Sequence, residues 1–247
     1  MAPGSPYDDV LLAGCHYMWA LKTYNEQFNS TFESVYGEVV PVFKDALGRA
    51  FNLDNDTMNG FTFALASGLM DFTVSENFEG VPPRYRYTPD QFQYLKFVQK
   101  LWLTIPTSDY ARQLVITKEL RRPIAAIKAA MDALLAGRKP DLKYMIYSSH
   151  DDAVANTMLF LKPVDAFFFD IPFASTIVLE LHYNDSCLAK DPKNRACFTV
   201  KAFYNNKPLK FQTCLDENRQ RGSQSDFCLA DDFFAHWDSV RYLGDVD

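Results

Sequence analysis

The chain has 247 residues, of which 48% are hydrophobic and 23% are charged, and its net charge is −6. Apolar residues are plentiful and the 10 glycines show no period, so the composition excludes a disordered or fibrous protein and is typical of a globular one. The acidic balance, without a long basic cluster, argues against a nucleic-acid partner. No apolar run approaches the roughly 20 residues of a membrane-spanning helix, so no membrane span is predicted.

The N-terminal residues MAPGSPYDD contain no basic segment followed by an apolar stretch, so the sequence predicts no secretory signal in this chain. Five cysteines and three Asn-x-Ser/Thr sequons, at Asn29, Asn55 and Asn184, are nevertheless typical of an extracellular protein. We therefore expect the beginning of the protein to be missing from this chain.

Apolar residues recur at spacings of three and four from residue 11 to about residue 137, which predicts a mainly helical region. The clearest helix is predicted over residues 117–136, and Gly137 and Pro140 are its stop signals. We interpret the apolar stripes as core packing rather than as a ligand pocket. The residues predicted to form the stripes are Leu11, Leu12, Cys15, Met18 and Trp19; Phe61, Leu65, Gly68, Leu69 and Phe72; Phe92, Leu95, Val98, Leu101 and Trp102; and Leu120, Ile124, Ile127, Met131 and Leu134.

After Pro140 the period changes to that of strands. Residues 142–148 (LKYMIYS), 176–183 and 198–204 are predicted strands, and residues 152–161 form a predicted helix after the first of them. The last two strands are expected to pair as a hairpin across the polar loop 184–196.

The cysteines flank two polar loops. Cys187 and Cys197 enclose the hairpin loop, and a disulfide between them is expected, with two unrelated thiols as the alternative. Cys214 and Cys228 enclose a second polar loop and are expected to be bridged if the protein folds in an oxidising compartment. Cys15 is then left over.

The order of a strand, residues 148–152 (SSHDD) and a helix indicates an anion site. The first N–H groups of a helix lack internal partners and favour negative charge. His150 is placed to donate a hydrogen bond to a phosphate oxygen, and an adjacent carboxylate to hold a proton for a leaving alcohol. The alternative is that Asp151 or Asp152 is an ordinary N-cap and His150 a loop residue.

Three blocks carry a resemblance: YMIYSSHDDAVANTMLFL, IPFASTIVLELHY and FYNNKPLKFQTCL. In order and spacing they resemble the C-terminal portion of the histidine acid phosphatases, in which a His-Asp dipeptide opens a helix after a strand. Pro172, Ala174 and Ser175, then Glu180 on a strand, match the family's next block. The tail FCLADDF resembles the family's Cys-Pro-Leu-x-x-Phe, with Ala in place of Pro at a shifted position. Leu11, Leu12 and Cys15 resemble the place where the family's chain enters its helical cap.

The resemblance implies phosphomonoester hydrolysis through a phosphohistidine, without a cofactor or metal. In the family, a histidine in an Arg-His-Gly-x-Arg motif attacks phosphorus, and arginines clamp the phosphate. The His-Asp pair completes the clamp and protonates the leaving group, roles that fall by resemblance on His150 and Asp151. Asp152 departs from the small polar residue common there and adds negative charge beside the phosphate.

The nucleophile motif is absent from this sequence. It contains four histidines, Arg-His occurs nowhere, and the first arginine is Arg49. We interpret His16, His182 and His236 as structural residues, and we therefore expect the chain alone to be inactive. Arg84 and Arg86, in PPRYRY, are interpreted as part of a solvated loop, with the entrance to a cap as the alternative.

The resemblance also implies an α/β fold: a partial three-layer αβα sheet domain with a helical cap. Residues 1–116 are expected to form the mainly helical cap, and residues 117–247 the C-terminal part of the phosphatase domain. Ligand would then lie at the carboxyl ends of the strands, under the cap. A secreted, lysosomal or vacuolar location is expected for full-length family members.

Three interpretations of the whole chain remain open. It is a histidine acid phosphatase without its N-terminal segment, a non-catalytic module that binds a phosphorylated ligand or a partner protein, or a structural subunit of a larger assembly. The expected partners are a phosphomonoester or phosphate, and the missing segment or another chain. If the nucleophile strand is missing, the predicted strand 142–148 should be exposed along one edge.

Overall fold

The computed structural model describes residues 40–104, 109–164, 171–214 and 228–244. These residues fall into two compact units, divided between Thr107 and Ser108. Eight α-helices and one four-stranded sheet are found among them, which confirms the predicted mixed α/β class. None of the described helices combines the length and apolarity needed to cross a membrane.

The first unit is helical in its described part. Its helices are α1 (Val40–Phe51), α2 (Asn55–Asn59), α3 (Phe63–Phe78) and α4 (Pro89–Thr104). Local signals set their starts. The Asp54 carboxylate accepts from the Thr57 N–H at the start of α2, and the Thr62 hydroxyl accepts from the Leu65 N–H at the start of α3. Thr88 and Gln91 form a reciprocal capping box before α4, with N···O distances of 2.9 and 3.2 Å.

The core of the first unit contains Phe43, Leu47, Met70, Leu95 and Val98. Leu95 and Val98 confirm the predicted inner face of α4. The predicted inner face of α3 is confirmed in part: Leu65 and Leu69 pack against this core. Phe72 is the exception, because it is 62% exposed while Met70, which was not predicted, is fully buried. Apolar residues occur on several sides of α3, so its period alone does not select the side that packs.

The second unit begins with α5 (Asp109–Leu135), which starts before the predicted residue 117. Ile124 and Met131 are buried, which confirms the predicted inner face of α5. Gly137 has a φ of +67° and ends the helix in a Schellman motif. In that motif the Arg138 N–H donates to the Ala133 carbonyl at 2.8 Å, and the Gly137 N–H donates to the Leu134 carbonyl at 3.0 Å.

The sheet of the second unit is antiparallel. Strand β1 (Ile177–Tyr183) pairs with β2 (Phe198–Tyr204), which confirms the predicted hairpin. Helix α7 (Asp185–Lys190) lies within the hairpin loop. Strands β3 (Lys207–Pro208) and β4 (Cys228–Leu229) also pair with β2.

Three helices pack with this sheet in one hydrophobic core: α5 and the two that follow. Helix α6 (Asp151–Leu161) confirms the predicted helix, and α8 (Ala230–Val240) follows β4. The core joins side chains of α5, α6, α8 and β2, and its largest fully buried members include Ile116, Met131, Met158, Leu161, Phe198, Phe211 and Phe233.

Both predicted disulfides are present. Cys187 is bonded to Cys197 with a Cα–Cα distance of 5.6 Å, and Cys214 to Cys228 with a distance of 5.2 Å. The first bond closes the hairpin loop, and the second ties the start of β4 to the residues that follow β3. Cys15, the expected leftover thiol, lies outside the described residues.

The predicted strand over residues 142–148 is wrong, because these residues form no strand in the structure. Every one of them is exposed, and Tyr144 and Ile146 reach 77% and 76%. Residues 142–148 are therefore exposed, as expected, but they do not form the strand whose edge was expected to be exposed. A β-prone sequence forms a strand only where a neighbouring strand and a packing surface are supplied, and no strand of the described sheet pairs with this segment.

Candidate functional site

His150 is the residue immediately before α6. Its backbone is extended, with φ −111° and ψ 171°, and its side chain makes no capping bond to the helix. The imidazole is exposed to solvent. The His150 carbonyl accepts the first intrahelical bond, from the Val154 N–H at 3.1 Å. The structure therefore places His150 at the N-cap of α6, and the alternative of an N-cap at Asp151 or Asp152 is wrong.

Asp151 and Asp152 are the first two residues of α6, and both are exposed. Each carboxylate accepts from the N–H of the following residue. Asp151 Oδ1 lies 2.9 Å from the Asp152 nitrogen, and Asp152 Oδ1 lies 2.7 Å from the Ala153 nitrogen. These are two of the N–H groups that an anion would use at a helix N-terminus, so an anion competes with the helix's own carboxylates for them.

Side chains of α5 and α6 form a chain of hydrogen bonds that reaches the first turn of α6. The Asn156 side-chain amide donates to the Asp152 backbone carbonyl at 2.8 Å. Arg112 Nε donates to the side-chain oxygen of Asn156, Oδ1, at 3.1 Å. The Arg112 guanidinium also forms an ion pair with Asp109 at 2.5 Å. Arg112 is only 8% exposed, so these contacts join the first turn of α6 to a buried side chain of α5. Neither Arg112 nor Asn156 was singled out in the sequence.

Glu119 of α5 adds an unusual carboxyl group beside this turn. Burial, and secondarily the negative charge of Asp152, raise the pKa of Glu119 to about 7. Below that pH the group is largely neutral, and above it a second negative charge faces Asp152. The only sequence signal for Glu119 was its position directly beside Leu120 in the apolar stripe of α5.

The other residues of the resemblance have structural contacts. The Ser175 hydroxyl donates to the Pro172 carbonyl at 2.7 Å and accepts from the Asn205 amide at 3.1 Å. Asn205 also accepts from the Thr176 N–H at 2.8 Å. Asn205 and Asn206 have φ of 46° and 63°, as the two-residue turn between β2 and β3 requires. This block therefore ties the entry of β1 to the neighbouring turn. Ala174, also of this block, has a φ of 58°.

The remaining histidines differ in their surroundings. His182 lies on β1 and is 2.8 Å from the Glu180 carboxylate, with both side chains partly exposed. His236 of α8 is buried, donates to the Leu161 carbonyl at 2.6 Å and stacks on Phe211. Burial lowers the pKa of His236, which favours the neutral ring and a structural role. His16 lies outside the described residues.

His150 and Asp151 are thus adjacent and exposed at the N-terminal end of α6. Among the described residues, no three His, Cys, Asp or Glu side chains converge in a way that suits a metal ion. No protein-family model, curated protein or solved structure matches this chain.

Proposed function

We propose that residues 148–152, the His150 loop, form the phosphate-binding and proton-donating half of a histidine acid phosphatase site. His150 binds a phosphate oxygen, and Asp151 gives a proton to the leaving alcohol. The observation that carries the proposal is the position of both side chains, exposed and adjacent, at the N-terminus of an 11-residue helix. A helix N-terminus supplies N–H donors and favours an anion.

The carboxylates of α6 fit this role at acidic pH. A bound phosphate raises the pKa of the neighbouring Asp151, as a proton donor requires. Once protonated, the Asp151 carboxyl group accepts less strongly from the Asp152 N–H, which becomes available to a phosphate oxygen. Because the pKa of Glu119 is about 7, that group is mainly neutral in acid and adds little repulsion.

The half-site lacks a nucleophile. The Arg-His-Gly-x-Arg motif occurs nowhere in the sequence. The sequence therefore supplies neither the attacking histidine of that motif nor its clamping arginines. Removal of the nucleophile from a covalent mechanism commonly costs several powers of ten in rate, even where binding groups remain. Phosphate binding without turnover is therefore the activity we assign to this chain alone.

The exposed segment 142–147 supports a second candidate function, that of a subunit in a larger assembly. It directly precedes the His150 loop, and Leu142, Tyr144 and Ile146 are exposed by 48%, 77% and 76%. Contiguous exposed apolar side chains of this kind mark interaction surfaces. The surface is compatible with a separate chain that brings the nucleophile, and it also suits a non-catalytic partner.

Hydrolysis of an aryl phosphate at acidic pH by the purified chain tests the proposal. We expect no turnover from the chain alone, and turnover when a polypeptide with the Arg-His-Gly-x-Arg motif is added. His150→Ala and Asp151→Ala should then reduce the restored rate, while His182→Ala, a change of the partly exposed histidine on β1, should not. Turnover by the chain alone that His16→Ala abolishes would contradict both the half-site and the structural role of His16.

A further inference from the structure

A second concave surface lies entirely within the first unit. It is a half-enclosed cleft of about 340 Å³ between the end of α1, the second half of α3, the loop that follows α3, and the start of α4. This volume lies within the usual range of small-molecule sites, roughly 300–1,000 Å³. Nothing proposed for the His150 loop uses this cleft.

Four aromatic rings line the cleft: Phe51, Tyr85, Tyr87 and Phe92. Tyr85 and Tyr87 pack edge to face, with their ring centroids 5.1 Å apart. Rings arranged in this way offer apolar faces against which a flat ligand packs, with a preference for offset or edge-to-face contact. We call this surface the aromatic cleft.

The charge of the aromatic cleft is opposite to that of the chain as a whole. Arg84, Arg86 and Glu76 line it, so the local balance is positive in a protein whose net charge is −6. Arg84 Nε donates to Glu76 at 2.8 Å, and its guanidinium carbon lies 5.3 Å from the Phe51 ring centroid. Arg86 is exposed and forms no ion pair or hydrogen bond with any residue the structure describes.

The sequence PPRYRY explains this mixture. Tyr85 and Tyr87 are half-buried whereas Arg84 and Arg86 are exposed, so the alternation places rings in the wall and guanidinium groups at the rim. The interpretation of these arginines as part of a solvated loop is therefore incomplete, because the loop is also one wall of the cleft.

One polar group of this wall is buried. The Tyr87 hydroxyl is shielded from solvent, and burial raises the pKa of Tyr87. Its polar neighbour is Thr73, whose hydroxyl donates to the Leu69 carbonyl at 2.9 Å and keeps lone pairs that can accept from Tyr87. Tyr87 therefore contributes its ring to the cleft, and its hydroxyl is directed away from solvent.

We propose that the aromatic cleft binds a flat aromatic anion, a single or fused ring that carries a carboxylate, phosphate or phosphonate group. The rings hold the flat part of the ligand, and Arg86, with the outer nitrogens of Arg84, binds the anionic group. A guanidinium group matches planar carboxylate and phosphate oxygens and also stacks on rings. The binding site is independent of the proposed function of the His150 loop.

Isothermal titration calorimetry of the purified chain with 2-naphthoate tests the proposal. We expect saturable binding, and binding at least about tenfold weaker for acetate, which has the charge alone, and for 2-naphthol, which has the rings alone. Phenylphosphonate serves as a second anionic probe, and its affinity relative to 2-naphthoate identifies the preferred anionic group. Equal affinity for 2-naphthoate and 2-naphthol would overturn the role of the guanidinium groups.

Three variants locate the bound probe. Arg86→Gln should weaken 2-naphthoate binding by about fivefold or more, because it removes a charge-assisted contact at an exposed position that folding does not need. Arg49→Gln, which removes an exposed cation of α1 that does not line the cleft, should leave affinity unchanged. His150→Ala should also leave it unchanged. Loss of binding in His150→Ala, or unchanged binding in Arg86→Gln, would overturn the proposal.

Discussion

At the scale of single residues, the turn that carries His150 depends on contacts far apart in the sequence. Asn156 joins Arg112, 44 residues earlier, to the first turn of α6, and the pKa of Glu119 responds to Asp152 on that turn. Because Glu119 ionises near pH 7, the stability of α5 and of the residues beside the candidate site should change with pH.

Glu119→Gln should change how stability depends on pH. Because the folded-state pKa of about 7 lies above the ordinary 4.5, the stabilising contribution of Glu119 is fully present below pH 4.5 and is lost as pH rises through 7. Relative to the parent, Glu119→Gln should therefore gain stability across this window, on the order of 2 kcal/mol. The free energy of unfolding in urea at several pH values, read from Trp237 fluorescence in a Trp19→Phe, Trp102→Phe background, measures this gain.

Asp152→Asn provides the matched second variant. It removes the smaller of the two causes of the raised pKa of Glu119. The free energy of unfolding should therefore fall less between acidic and neutral pH in Asp152→Asn than in the parent. Parallel curves for the parent and Glu119→Gln between pH 4.5 and 7 would show that Glu119 titrates normally.

At the scale of elements, some features of the fold are set by local sequence signals and others by tertiary contacts. Gly137, with positive φ, ends α5 through contacts within a few residues, so the sequence alone predicted this helix end. The Thr88–Gln91 capping box at the start of α4 is equally local, although it was not singled out in the sequence. The alternation in β1 and β2 likewise predicts their pairing. The position of Phe72 on α3 and the conformation of residues 142–148 depend on tertiary contacts, and both were predicted wrongly.

The same division applies to the candidate site. The dipeptide at the start of α6 was predictable because a strand-like segment, a His-Asp pair and a helical period are adjacent in the sequence. The support from Arg112 and Glu119 was not, because it depends on how α5 packs beside α6.

The double variant Tyr144→Lys, Ile146→Lys tests whether the exposed segment 142–147 packs against the folded chain. Both side chains are about three-quarters exposed, so the double variant should alter the free energy of unfolding by no more than about 0.5 kcal/mol. It should also reduce self-association of the purified chain, because lysines disfavour association of exposed apolar segments. Unfolding and analytical ultracentrifugation measure the two effects.

Met131→Ala is the contrasting control in the neighbouring helix. Met131 is completely buried in the core of the second unit, so this change should cost about 2–5 kcal/mol. A destabilisation of similar size in the lysine variant would show that residues 142–148 pack against the folded chain.

At the scale of the whole molecule, the two units carry two different candidate binding surfaces. The second unit presents exposed polar and acidic groups at the N-terminus of a well-packed helix, and the first presents rings and guanidinium groups around a cleft. The first arrangement suits a small anion and proton transfer, and the second suits a ligand with a flat apolar part. Among the described residues, each unit has its own hydrophobic core.

The central claim, that the His150 loop binds phosphate, is tested most directly by proton NMR of the four histidine rings during titration with inorganic phosphate at acidic pH. The resonance that His150→Ala removes should shift saturably, and the one that His182→Ala removes should stay in place. Asp151→Asn should tighten phosphate binding, because it removes the negative charge of a carboxylate that repels the anion. A His150 resonance that does not move at saturating phosphate, or equal shifts of His150 and His182, would contradict the account.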